Sequence, residues 1–331
     1  MDPITHTLCG ATMAESGLKE HTALGTAALL VGANLPDLDV IAYAWDPTMA
    51  LWFRRGVTHG VLGLLVLPVL LTGALVLWDR LVRRPRGAPP AVARRLFLLA
   101  FLAVLSHPIL DSLNVYGMRW LMPFSDRWSY GDVLFIVDPW VWGMLAGGVV
   151  LSRRLRRDRP NGTRETNDGG KGAARASMLL VAIYVVIMAV SNLAARRIVA
   201  GALARDLGAR PTRMMAAPLP ANPFARRMVA QVGDQYHFGT LRWLPRPRFE
   251  REPFTLDAGP RHSAAAAATR GPAVRRFMSW ARFPYFAVED RGDHYLVQIG
   301  DARYTIEPAG SWASVEVEIG AGERGPGTGD R

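Results

Sequence analysis

Residues 96–113 read LFLLAFLAVLSHPILDSL. As a helix this run would be about 27 Å long, close to the hydrocarbon thickness of a bilayer. His107 and Asp111 stand four apart in its last turns and so share one helix face. Ionisable groups inside a bilayer are costly and tend to mark function. The stretch therefore predicts a membrane span with chemistry at one end.

Working outward, three more apolar runs have about the right length: His59–Trp78, Val133–Leu151 and Met178–Ala195. The connectors alternate in character. Arg80–Arg95 is basic, Asn114–Asp132 mixes Arg119 and Arg127 with Asp126 and Asp132, and Leu151–Arg175 contains RRLRRDR. The positive-inside rule puts the basic connectors in the cytoplasm, Asn114–Asp132 outside, and residues 201–331 outside as well. This arrangement accounts for the net charge of +11, and no nucleic-acid partner is expected. The single cysteine, Cys9, excludes a disulfide within the chain and a cysteine-rich zinc site. Met1-Asp2-Pro3 lacks a basic n-region and is not followed by a signal-like apolar core, so no cleavable signal peptide is expected.

Residues 4–44 admit two readings. In one, a helix from Pro3 to about Ser16 turns at Gly17-Leu18-Lys19-Glu20 into a second helix from about His21 to Leu35. The two form a hairpin entering the bundle from outside, which sets His6 level with Asp37 and Asp39. In the other, Ala23 to Trp45 is one span and the N-terminus is cytoplasmic, which leaves His6 on the wrong side. The hairpin is favoured. Its first helix is too polar to face lipid and must pack inside the bundle.

Three polar groups interrupt the apolar pattern: Asn34-Leu35-Pro36-Asp37-Leu38-Asp39, Arg55-Gly56-Val57-Thr58-His59-Gly60, and Ser106-His107-Pro108-Ile109-Leu110-Asp111. Taken singly each has a bland explanation. The two aspartates can cap a helix, His59 can be an interfacial residue, and His107 with Asp111 can be a structural pair. Taken together, the predicted topology brings His6, Asp37, Asp39, His59, His107 and Asp111 to one layer at the outer ends of four segments. Imidazoles and carboxylates suit zinc, manganese, iron or magnesium, with zinc first. Six such ligands can hold two ions around a bridging water. Asp138 is expected as a helper to the site, or with Asp132 as a general base, and Arg55 and Asn114 as groups that orient a carboxylate or phosphate. Glu15 and His21 are placed near the hairpin tip, away from the site.

At these residues the chain resembles a family of bacterial membrane-bound metal-dependent hydrolases, related to an inner-membrane protein under LexA control. The matching residues are Thr5-His6 and Gly10, Leu35-Pro36-Asp37-Leu38-Asp39, Arg54-Arg55-Gly56-Val57-Thr58-His59, His107 to Asp111, Asn114, Tyr116-Gly117 and Pro123-Phe124. They cover about the first 140 residues. One position departs: the family pattern has His-Arg-Gly where this chain has Arg54-Arg55-Gly56, so the site has one imidazole fewer. The C-terminal half looks like an extension found in a subset of the family.

Beyond residue 200 no run is long enough to span a bilayer. Tyr236–Leu244, Tyr285–Glu289, His294–Ile299, Tyr304–Glu307 and Trp312–Ile319 read as strands, with a hairpin turn at Asp290-Arg291-Gly292-Asp293. Asn222–Met228 reads as a short helix or docking segment, Ala264–Ala268 as a linker or poorly anchored helix, and His237, His262 and His294 as surface residues. The expected architecture is a multi-pass α-helical membrane bundle (residues 1–200), a small β-rich extramembrane domain (201–319) and a disordered tail (320–331). The expected function is that of an inner-membrane, metal-dependent hydrolase with its site on the extracytoplasmic side. A membrane lipid or another ester or phosphoester is its expected substrate. A metal-ion transporter and a non-catalytic scaffold are the alternatives.

Overall fold

The computed structural model describes residues 1–45, 47–157, 168–305 and 313–320. They form two compact units, one of residues 1–40 and 54–190, the other of residues 41–53 and 191–331.

The first unit is helical. Helix α1 (Pro3–Glu15) opens with Pro3 in its first turn, and the Asp2 side chain accepts from the Ile4 and Thr5 amides at 3.0 and 3.1 Å. The chain turns through a short helix at Leu18–His21 into α2 (Gly25–Asn34), which tightens into a 3₁₀ helix over Leu35–Ala44. The helix–turn–helix that the hairpin reading expects is therefore present in α1 and α2. Its second arm, Gly25–Ala44, is also long and apolar enough to cross a membrane. Among the described residues Val61–Arg86, Ala93–Asp111 and Gly170–Leu207 meet the same criterion. These contain α4 (Val61–Trp78), α5 (Ala93–Asp111) and most of α7 (Asp168–Leu207); α3 (Pro47–Phe53) belongs to the second unit.

The expected span Val133–Leu151 needs correction. Helix α6 runs from Pro139 to Arg157, because Asp138 caps it and the preceding residues are loop. Its apolar part stops where Arg153, Arg154 and Arg156 begin.

Packing in this unit follows the logic of a protein in lipid. Leu96, Leu99, Ala100, Ala103, Val104, His107 and Asp111 form the buried stripe of α5, while Phe97, Leu98, Leu102 and Ile109 are exposed. Small residues let the helices approach closely. A Cβ on Gly32 would come 2.8 Å from the Ala103 Cβ, and one on Gly10 would come 2.6 Å from the Leu29 carbonyl oxygen. Near the hairpin tip, buried Glu15 binds Lys19 at 2.7 Å, Arg153 at 3.1 Å and Arg156 at 3.3 Å, which joins α1 to α6.

The second unit holds two antiparallel sheets. One is a four-stranded meander of β1 (Arg213–Leu219), β2 (Asn222–Val232), β3 (Gln235–Arg242) and β4 (Arg248–Asp257). Ala195, Val199 and Leu203 of α7 share a core with Ala216, Met228, Ala230 and Leu241 of that sheet. Next come α8 (Ser263–Ala268) and α9 (Pro272–Trp280), and then the second sheet of β5 (Pro284–Asp290), β6 (His294–Asp301) and β7 (Ser314–Gly320).

Several expectations change here. Asn222–Met228 is a strand, since its amides pair along β1 and β3. The alanine run is an anchored helix with Ala264, Ala265 and Ala268 buried. Tyr304 and Thr305 lie outside any strand, and the rest of that expected strand and the tail 321–331 fall outside the described residues.

Gly10→Ala should lower the thermal unfolding midpoint of the full chain in detergent, by the equivalent of about 1–3 kcal/mol for an overpacked helix crossing. An unchanged midpoint would contradict the close approach of α1 to α2.

Candidate metal centre

Four segments deliver the site. His6 lies on α1, Asp37 and Asp39 follow α2, His59 precedes α4, and His107 with Asp111 ends α5. Asp37, His59, His107 and Asp111 each offer one ligand atom, and these atoms all lie within 4.8 Å of one another. The Nε2 atoms of His59 and His107 are 3.1 Å apart. His59 Nε2 is 3.4 Å from Asp111 Oδ2 and 3.9 Å from Asp37 Oδ1; His107 Nε2 is 3.6 and 3.7 Å from the same two oxygens. Bonds of about 2.0 Å in a tetrahedral shell put neighbouring ligands about 3.3 Å apart. The observed separations straddle that value, so the donor set fits a single small divalent ion.

The imidazoles are aimed by their other nitrogens. His107 Nδ1 lies 2.7 Å from the Ala33 carbonyl oxygen and donates to it, which leaves the Nε2 lone pair for the centre. His59 Nδ1 lies 3.3 Å from Asp39 Oδ2 and 3.0 Å from Thr58 Oγ1. Burial holds the pKa of His59 below its ordinary value, against the opposing pull of Asp39, and this favours the neutral form that ligates.

Asp39 thus acts on His59 from outside the cluster. Its carboxylate accepts from the Arg55 amide at 2.8 Å, from Thr58 Oγ1 at 3.1 Å and from Arg54 Nε at 3.4 Å. The Arg54 guanidinium also reaches Asp37 at 3.3 Å, so it forks across two of the expected ligands.

Arg55 has a left-handed backbone (φ 52°), uncommon for a residue with a side chain. Its Nε sits 3.1 Å from Asp111 Oδ2, and its guanidinium donates to Asn114 Oδ1 at 3.0 Å and to the Gly117 carbonyl at 3.3 Å. It also stacks over Tyr116 at 4.5 Å. Gly117 (φ 84°) is tight against the Tyr130 ring, where a Cβ would come within 2.4 Å.

His6 stacks on His107 with ring centroids 3.6 Å apart, and its Nε2 is 3.4 Å from Asp111 Oδ1. The α-amino group of Met1 also lies against Asp111. Both ring nitrogens of His6 make no hydrogen bond, and the two buried oxygens of Asp111 meet only ion-pair partners, among them the Met1 amine, His6 and Arg55. This grouping of buried acceptor atoms fits a site whose lone pairs serve an ion.

Asp138 is built into the fold differently. Its carboxylate accepts from the Trp140 and Val141 amides at 3.1 and 3.3 Å and from the Tyr184 hydroxyl at 3.3 Å. Asp132 is buried in the loop before α6 with φ 54°. Sequence reasoning gave no role to the Ala33 carbonyl, since a main-chain oxygen leaves no mark in a sequence. Thr58 and Tyr116 stand in the matching motifs but had no role assigned from the sequence.

The YdjM inner membrane protein family matches residues 1–196, and the chain belongs to that family. The resemblance drawn from the motifs is thereby confirmed. The uncharacterized protein YfhP of Bacillus subtilis (strain 168) is 28% identical over 115 residues, which make up 35% of this chain and 32% of YfhP. The match thus spans about a third of that relative. No solved structure matches the chain.

Elemental analysis of the purified protein should find one divalent ion per chain, and none after His107→Ala with Asp111→Ala. Equal metal in both would rule out the cluster as the binding site. Asp39→Asn should keep the capacity for one ion but weaken affinity roughly 10- to 100-fold, as expected when a ligand's orienting partner is lost; unchanged affinity would remove Asp39 from that role.

Proposed function

We propose that this member of the family is a metal-dependent hydrolase with its centre on the extracytoplasmic side of the membrane, acting on an ester or phosphoester of a lipid or lipid-linked molecule. The observation that carries this reading is the meeting of Asp37, His59, His107 and Asp111 from three separate segments, with ligand atoms all within 4.8 Å of one another. A divalent ion held there, zinc first by its donor set, supplies Lewis acidity to a carbonyl or phosphoryl oxygen.

The remaining groups set the site up. Asp39 and the Ala33 carbonyl fix the two imidazoles, and Arg55 fixes Asp111. Arg54 lies across Asp37 and Asp39, where its charge offsets that of the carboxylates, and this supports one ion rather than two. Asp37 keeps 16% of its side chain exposed while the other three ligands are fully buried, so substrate approaches from its side. Asp138, engaged by the start of α6 and by Tyr184, is assigned to holding the fold. A transport path is not favoured, because Glu15, the buried carboxylate at the far end of α1, is taken up by three cations. The basic connectors argue for a cytoplasmic location of that end and an external one for the metal centre.

A second reading has its own support. Four protein donors fill a tetrahedral shell, which is typical of structural centres. In that reading the ion ties the helices together and no bond is broken.

Hydrolysis of bis(p-nitrophenyl) phosphate and p-nitrophenyl butyrate by the full chain in nanodiscs separates the two. The hydrolase reading expects turnover that a chelator abolishes and zinc restores, with His59→Ala lowering kcat/KM by about a hundredfold or more. A chelator that lowers the unfolding midpoint of a protein inert toward both compounds would favour the structural centre. For sidedness, Phe124→Cys in a Cys9→Ser background should react with an impermeant maleimide on intact spheroplasts; labelling only after lysis would place the site in the cytoplasm.

A further inference from the structure

A second site lies at the opposite end of α5 from the metal centre. Arg94 and His107 are thirteen positions apart, which is about 20 Å along a helix. Here the hairpin tip packs against the start of α5. Thr22 Oγ1 accepts from the Val92 amide at 2.8 Å, and Arg95 Nη1 donates to the His21 carbonyl at 2.7 Å. Between them is a cleft of about 400 Å³ lined by Leu18, His21, Arg94, Arg95, Leu98, Leu99 and Leu102.

Its two ends differ. Two guanidiniums and an exposed imidazole stand at the head, and no carboxylate is among the lining residues. Arg95 is held in place by one hydrogen bond to the main chain, which leaves its other donors available. The wall is leucine. Arg94, Leu98 and Leu102 are spaced by four and so form one stripe about 12 Å long, with Leu98 51% and Leu102 43% exposed.

A cationic head over an apolar stripe on a span facing lipid matches an amphiphile with an anionic head and an acyl chain. We infer that this cleft binds an anionic phospholipid, its phosphate held by Arg94, Arg95 and His21 and one chain laid along Leu98 and Leu102. The charge excess favours an anionic over a zwitterionic head, and the leucine wall favours a lipid over free phosphate. The inference does not depend on the hydrolase reading, since none of its residues belongs to the metal centre.

Native mass spectrometry of the full chain released from nanodiscs of equal parts phosphatidylglycerol and phosphatidylcholine tests it. The wild type should retain phosphatidylglycerol in preference. Arg94→Gln, at a residue with no hydrogen bond or ion pair among the described residues, should lower that retention about fivefold, and Arg94→Gln with Arg95→Gln roughly twentyfold. Three results would each overturn the inference: unchanged retention in both variants, an equal loss in an Arg80→Gln, Arg86→Gln control outside the cleft, or displacement of the lipid by inorganic phosphate alone.

Discussion

Two imidazole nitrogens face each other 3.1 Å apart in the buried interior of the first unit, and the organisation of that unit follows from holding them there. Each ring is fixed from behind, His107 by the Ala33 carbonyl and His59 by Asp39. Two lone pairs forced together without a proton or ion between them repel, so the arrangement is stable only if something positive is shared. Asp37 and Asp111 at 3.4–3.9 Å complete an environment suited to a divalent cation.

The surrounding fold makes this possible by bringing backbones close. The Ala33 carbonyl reaches His107 only because α2 and α5 approach across Gly32 and Ala103. His6 stacks on His107 only because α1 closes onto α2 at Gly10. In lipid there is little hydrophobic drive between helices, so small residues and polar contacts set which faces meet. The loop between α5 and α6 adds Asn114, Tyr116 and Gly117 to hold Arg55, whose guanidinium then orients Asp111. A helical bundle and an irregular loop thus serve one cluster, while α5 carries His107 and Asp111 of the candidate metal centre at one end and the arginine-lined cleft at the other.

Much of the bundle was legible because its signals are long. A run such as residues 96–113 has few other stable fates than a membrane span. The Leu-Pro-Asp-Leu-Asp and Thr-His groups stood out because charges near such runs are rare. What misled was local. Val133–Leu151 is apolar but for Asp138, and that residue with Pro139 sets the helix start inside it. Asn222–Met228 looked unlike a strand, but cross-strand pairing on both sides settled it. Strand preference depends on neighbours that a single segment does not display.

The amino-acid order by itself determined that this is a membrane protein of a recognisable family, with imidazoles and carboxylates gathered near the ends of its apolar helices. Hydropathy and residue type are properties of the chain, and the bilayer imposes the rest. Only the tertiary structure divided those residues by role. It put Asp37 in the cluster that could hold a metal ion and Asp39 behind His59, gave Arg54 to both carboxylates, and set Asp138 at a helix cap. Side chains two residues apart differ in role because they point to different neighbours, and those neighbours come from segments distant in the chain.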